Sequence, residues 1–261
     1  LLIPRWGVEE KLQKGVEHKY SIYQSLDLIL NRLNLQNEDM EIEIFPHIPR
    51  AAGLGGSAAL AVAIIRALAQ YYKLHLTNEE ISQLAYESEL IAHGSASGID
   101  NTLATYGQFT LFKKGDPPFM KEVKVPEPIP LVIGLSGVES LTARMVAKVR
   151  EGREKNKKLY DEIFEEINNL SLMSVEAIEN FNLGKLGDLM NLNQGLLNAL
   201  QVSSPELEEI IAIARKNGAI GAKLTGAGGG GAAIALCPGT QDKVSMAIRK
   251  AGYNTVVTKL G

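Results

Sequence analysis

Cysteine is almost missing from the 261 residues: Cys237 stands alone. A single thiol excludes an intramolecular disulfide framework and fits a reducing, cytoplasmic compartment. Long apolar runs are missing too. The most apolar stretch, Leu60 to Ala69, is interrupted by Arg66, well short of the roughly 18 residues that span a bilayer. The opening LLIPRWGVEEK turns polar too early for a secretory signal, so neither leader nor membrane association is expected. No basic excess exists: 27 Lys and Arg face 30 Asp and Glu, a formal charge of −3. Nucleic-acid binding requires a basic stripe, so that partner class is excluded. His18, His47, His75 and His93 show no metal-ligand spacing. The first residue is Leu1, not Met, which suggests a processed or incomplete chain.

What remains is an ordinary globular composition, 45% hydrophobic and 22% charged, long enough for one large domain or two modest ones. Glycine is plentiful, at 25 residues, and its placement is the informative part. Residues Glu17 to Asn34 carry a helical apolar face, and Met40 to Phe45 alternates as a half-buried strand ended by Pro46 and Pro49. Ala58 to Tyr72 is apolar nearly all round and predicts a buried helix. Thr77 and Glu80 form a capping box for a helix reaching about His93 and stopping at Gly94. A loop, a short helix and a strand near Gln108 to Lys113 follow. Gly115-Asp116-Pro117-Pro118 marks a boundary, giving expected domains of residues 1–115 and 116–261.

Beyond it, PLVIGLSG reads as a buried strand and Ser140 to Asn169 as one long charged helix. Further helices are predicted around 174–180, 184–200 and 205–217, the last opened by Ser204-Pro205. The end reads strand (219–225), glycine loop, strand (232–237), helix (241–251) and strand (253–259). That order matches a split βαβ, ferredoxin-like half.

Three segments carry chemistry. Gly53-Leu54-Gly55-Gly56-Ser57-Ala58 precedes a helix, whose first turn offers unpaired N–H groups and a positive dipole end, a cradle for phosphate. A Walker A loop would need Lys where Gly56 stands, and a dinucleotide fold would need a strand directly before the loop. A tight turn feeding a core helix fits the same residues. Glu89 and Asp100 flank HGSASGI, whose glycines let the two carboxylates converge, one to hold Mg²⁺ and one to take or orient a hydroxyl proton. Alone, the same pattern fits a solvated Glu89 and an Asp100 that caps the next helix. Finally, four glycines run through Gly226-Ala227-Gly228-Gly229-Gly230-Gly231. A hairpin needs only two special positions, so the excess implies close approach of another backbone or a ligand.

Together PRAAGLGGSAA, EL-x-x-HG-x-x-SGID-N and KLTGAGGGG resemble motifs of the GHMP kinase superfamily, and among its families they are most similar to the mevalonate kinases. The resemblance implies an α+β, two-domain fold, with an N-terminal α/β part like ribosomal protein S5 and a ferredoxin-like C-terminal half. It implies an enzyme that uses ATP and Mg²⁺ to phosphorylate the 5-hydroxyl of mevalonate. Gly53, Leu54, Gly55, Gly56, Ser57 and Ala58 would wrap the ATP phosphates. Ser57 and Glu89 would hold Mg²⁺, Asp100 would serve the hydroxyl, and Thr142 would stand at the substrate. Gly226, Ala227 and Gly228 would line the nucleotide site. Alternatives are phosphomevalonate or a sugar as acceptor, or a non-catalytic nucleotide sensor on the same scaffold. A phosphorylated substrate would call on Arg144, Lys148, Arg150 and Arg153, which otherwise read as a solvated helix face. A homodimer is compatible with the resemblance.

Two departures stand out. Gly56 replaces the first Ser of the superfamily's Ser-Ser pair, which removes a hydroxyl and keeps the backbone donor. The superfamily's first motif, with its Gly-Glu-His and Lys, is absent. The expectation is therefore a kinase lacking several dozen leading residues, poorly soluble and slow on its own.

Overall fold

The computed structural model describes residues 1–9, 11, 21–46, 53–94, 96–115, 118–140 and 142–261, with backbone alone for Trp6, Ser21, Ala92 and His93. Glu17 to Tyr20 of the first predicted helix, His47, Pro49 to Ala52 and the Asp116-Pro117 pair of the expected boundary lie outside the described residues. Two compact units emerge: Leu1–Arg50 with Gly55–Met120, and Ala51–Leu54 with Lys121–Gly261. Among the described residues no helix is long and apolar enough to cross a membrane.

The first unit opens with short antiparallel strands β1 (Leu2–Ile3) and β2 (Val8–Glu9). Helices α1 (Ser21–Arg32), α2 (Gly56–Tyr71), α3 (Asn78–His93) and α4 (Ile99–Tyr106) follow, then a two-stranded sheet of β3 (Thr110–Lys113) and β4 (Phe119–Glu122), of which Lys121 and Glu122 group with the second unit. The α3 boundaries are set locally. Thr77 Oγ1 accepts from the Glu80 N–H at 3.2 Å, and Glu80 Oε2 accepts from the Thr77 N–H at 2.7 Å. Gly94 ends the helix in the left-handed conformation. Leu26 and Ile29 of α1, Val62, Ile65 and Leu68 of α2, and Ile81 and Leu84 of α3 form the core.

Two expectations for this unit are corrected. Helix α2 is not buried all round: Ala63, Arg66, Ala67 and Gln70 make an exposed stripe at helical spacing, and Tyr71 is 78% exposed. Alanines count as apolar, yet they expose little surface and tolerate water. Residues 40–45 do alternate, with Ile42 and Ile44 packed on the core and Phe45 exposed. They form no regular strand, however. Their pairing is a single parallel bridge, in which the Leu2 N–H donates to Ile42 O and the Ile44 N–H donates to Leu2 O, both at 2.9 Å.

The second unit runs β5 (Ile129–Leu135), α5 (Thr142–Lys155), α6 (Lys157–Glu179), α7 (Leu183–Ala199), α8 (Pro205–Lys216), β6 (Gly221–Thr225), β7 (Ala232–Leu236), α9 (Gln241–Lys250) and β8 (Asn254–Leu260). The sheet order is β6-β7-β5-β8, with every neighbour antiparallel. This is the predicted split βαβ arrangement. One sheet face buries Val132, Leu224 and Ala235 under Ile210 and Ile211 of α8 and Ile248 of α9. The other packs Leu131 and Leu236 on Leu170 of α6 and Leu189 of α7. Helix α7 also seals the β6 edge. Its Asn191 accepts from the Ala222 N–H and donates to Ile220 O, and its Gln194 accepts from the Leu224 N–H at 2.8 Å. An edge whose polar groups are met by side chains resists pairing with foreign strands.

The single helix expected over 140–169 is two. Chain direction changes at Asn156, which leaves the helical region at φ −138°. Gly152 has no side chain, so the Tyr160 hydroxyl packs directly on it. Arg153 and Lys157 both grip Asp161, at 2.6 and 2.7 Å. The Arg153 and Lys157 hydrogen bonds hold the Asp161 carboxyl down at about 2. Helix α6 then runs to Glu179 without a break, absorbing the separate helix expected at 174–180.

Candidate active site

The chemistry-bearing residues fall on both units, and each unit has its own geometry. In the first, α2 begins at Gly56 with Gly55 as its N-cap, left-handed at φ +64° and without a side-chain cap. The helix start is thus built from backbone, which suits an anion cradle. Ser57 is exposed in that first turn, and Ala58 is buried beneath it. A Cβ built on Gly55 would lie 3.3 Å from Asp100 Oδ1. The carboxylate predicted to serve the hydroxyl therefore rests against the turn predicted to hold phosphate.

Asp100 occupies the first turn of α4, whose N-cap is Gly98 at φ +86°. It is exposed and is not the cap itself. Its acidic charge sits at the favourable end of the helix dipole. Glu89 is the opposite case: on α3 it is only 6% exposed. The bland alternative of a solvated carboxylate is overturned, because a buried carboxylate persists only with a compensating partner. Helix α3 packs on both α2 and α4. The side chain of His93 lies outside the described residues, and His75 is exposed.

In the second unit the glycine loop after β6 is packed against backbone on several sides. The Gly229 N–H donates to Val202 O at 2.7 Å, and the Gly231 N–H donates to Val138 O at 2.8 Å. A Cβ at Gly228 would run into the Val202 carbonyl, and one at Gly230 would come within 2.6 Å of Val138 O. The surplus glycines are thus explained by close approach of other backbone segments. Ser136 Oγ donates to Gly231 O at 2.9 Å, and Ser140 Oγ donates to Gly228 O at 2.7 Å. Thr142 is the first residue of α5, exposed, and two positions after Ser140 in the sequence. Gly53, which groups with this unit, lies over the same loop, its carbonyl 3.2 Å from where a Gly226 Cβ would stand.

Sequence reasoning missed Ser136, Ser140 and Val202. Two serines in LSGVES carry a faint signal, while the partner at Val202 is a carbonyl, which every residue has. Lys223 was also passed over. It is half-buried on β6, donates to Leu224 O at 2.7 Å, and burial pushes its ammonium down to about 8. Burial pushes the Cys237 thiol up to about 11, so it is inert. Arg144, Lys148, Arg150 and Arg153 are all exposed, as a solvated face requires. Lys148 reaches Gln201 O, and Arg153 serves Asp161. Among the described residues no group of three or more His, Cys, Asp or Glu could cage a metal.

Family comparisons agree with this layout. Residues 21–108 match the GHMP kinases N terminal domain, and residues 174–254 match the GHMP kinases C terminal model. The mevalonate kinase of Pyrococcus abyssi is 38% identical over 252 residues, covering 95% of this chain and 74% of that protein. The chain belongs to the mevalonate kinase family of GHMP kinases. A second member, from Pyrococcus horikoshii, is 43% identical over 229 residues, covering 85% of this chain and 66% of the relative. Among solved structures, the L. major mevalonate kinase in complex with R-mevalonate superposes with a TM-score of 0.82 at 30% identity, covering 91% of this chain and 77% of that one. The two-domain α+β architecture of the family is therefore the architecture of this chain.

Proposed function

We propose that this kinase transfers the γ-phosphoryl group of ATP to the 5-hydroxyl of mevalonate, a step of isoprenoid synthesis. The observation that carries the reading is the Asp100 carboxylate set against Gly55, at the start of the helix that would cradle phosphate. Family membership supplies the substrate class. Phosphoryl transfer asks for positioning and charge neutralisation more than for covalent chemistry. Backbone N–H groups at the start of α2 bind the phosphates. Asp100 accepts or orients the hydroxyl proton as the oxygen bonds to the γ-phosphorus and the bond to ADP breaks.

The donor set fits Mg²⁺. A serine hydroxyl and a carboxylate are hard oxygen ligands, and Mg²⁺ is commonly held by one or two such groups plus substrate phosphates. Glu89 is buried on α3, so its carboxylate is held in a fixed place, as a metal ligand needs to be. Ser57 and Glu89 would hold the ion, which neutralises phosphate charge when bound. The lone buried thiol of Cys237 is compatible with work in the cytoplasm.

The test is ADP release with ATP and Mg²⁺, comparing mevalonate, phosphomevalonate, galactose and no acceptor. Mevalonate-dependent turnover is expected, falling roughly 10²- to 10⁴-fold in Asp100→Asn. ATP binding without turnover on any acceptor would instead favour the sensor.

A further inference from the structure

We propose that Asn101 is a positioning residue for Asp100, acting by anchoring the first turn of α4 to α3. The proposal rests on the reading of Asp100 as the group that serves the hydroxyl. Asn101 is 5% exposed, and its Nδ2 donates twice to one residue of α3, to Ser82 O and to Ser82 Oγ, each at 3.0 Å. A buried amide held by two acceptors fixes a backbone position far better than a solvated one, because leaving its N–H groups unmet would be costly.

Helix α4 needs such an anchor. It has eight residues, too few for a stable isolated helix. Its N-cap is Gly98, with no side-chain cap bond, and the Ile99 N–H donates to Ser97 Oγ at 3.3 Å, a bond that likewise stays within the turn. Thr102 Oγ1 donates to Gly98 O at 2.6 Å, a bond inside the same turn that ties it to nothing else. Arg66 reaches α4 from α2, but at Thr105 O, the far end. Neighbouring residues on a helix point about 100° apart, so Asn101 can face α3 while Asp100 faces Gly55. Little slack exists on that side, since even a methyl-sized atom on Gly55 would stand 3.3 Å from the carboxylate. Any drift of the first turn moves the carboxylate relative to the phosphate-binding turn.

Asn101→Ala should lower kcat roughly 10²-fold, the loss that about 1 Å of misplacement can cause, with KM for ATP changed less than about 3-fold. The deciding comparison is the same substitution in an Asp100→Asn background. A residue acting through Asp100 should there cost less than about 3-fold more, because coupled residues are not additive. An equal loss in both backgrounds, or near-normal turnover of Asn101→Ala, overturns the proposal. Asp100→Asn alone reports on the underlying reading: if its turnover is near normal, that reading fails whatever Asn101 does. Should Asn101→Ala lack a cooperative thermal transition, Ser82 decides. Ser82→Ala should lower kcat about 3- to 10-fold with Ser82→Thr restoring it, and an unchanged kcat in Ser82→Ala overturns the proposal.

Discussion

Gly55 and Asp100 are separated by no more than the missing side chain: a Cβ on the glycine would meet Asp100 Oδ1 at 3.3 Å. Gly55→Ala should therefore act twice. The left-handed φ of +64° costs an alanine about 1–2 kcal/mol, equal to a fall of roughly 2–8 °C in the thermal midpoint. Displacement of the carboxylate should lower turnover by at least about 10-fold. Melting curves with ADP-release assays separate the two effects, and undiminished turnover would mean that the closeness of these residues is incidental.

Glu89→Gln keeps the volume of a buried side chain and removes its charge. If Glu89 holds Mg²⁺, half-maximal activity should require about 10-fold more of the ion, with KM for mevalonate little changed. An unchanged Mg²⁺ titration would assign the carboxylate to structure alone.

The glycines after β6 offer a contrast with Gly239. Gly228→Ala forces a side chain onto the Val202 carbonyl and should cost about 3 kcal/mol or more. Gly239 has a similar left-handed φ of +70° and open space around it, so Gly239→Ala should cost only about 1–2 kcal/mol. Urea midpoints measure both, and equal losses would show that strain alone governs the loop.

Lys223 gives a pH dependence. Its ammonium is lowered from 10.5 to about 8 by burial. Below pH 8 folded and unfolded chains both carry the proton, and the folded state bears the desolvation cost. Between 8 and 10.5 the unfolded chain holds more protons, so this group makes stability rise with pH. Lys223→Met should raise stability at pH 7 by up to about 3 kcal/mol and abolish that rise. Unfolding curves at pH 7 and pH 10 check it; a variant less stable than the parent at pH 7 would show that the hydrogen bond to Leu224 O outweighs the desolvation cost.

Much of this molecule could be read from the chain because the responsible contacts are local. Thr77 and Glu80 start a helix three residues apart, and Pro205 after Ser204 starts another, whose Leu207 N–H is capped by Ser204. Strand and helix periods gave the βαββαβ-like order of the second unit, and a glycine-rich turn before a helix marks an anion cradle whatever surrounds it. Tertiary structure decided the rest, because long-range partners leave little trace in residue type. Residues 40–45 alternate like a strand, yet a strand exists only where a neighbour supplies a ladder, and Leu2 supplies one bridge. The break at Asn156 depends on Tyr160 folding back on Gly152. Burial of Glu89 follows from how α3 packs against its neighbours, which no one-dimensional pattern specifies. The glycine loop is held by the carbonyls of Val138 and Val202, groups that every residue carries and that only folding brings within reach.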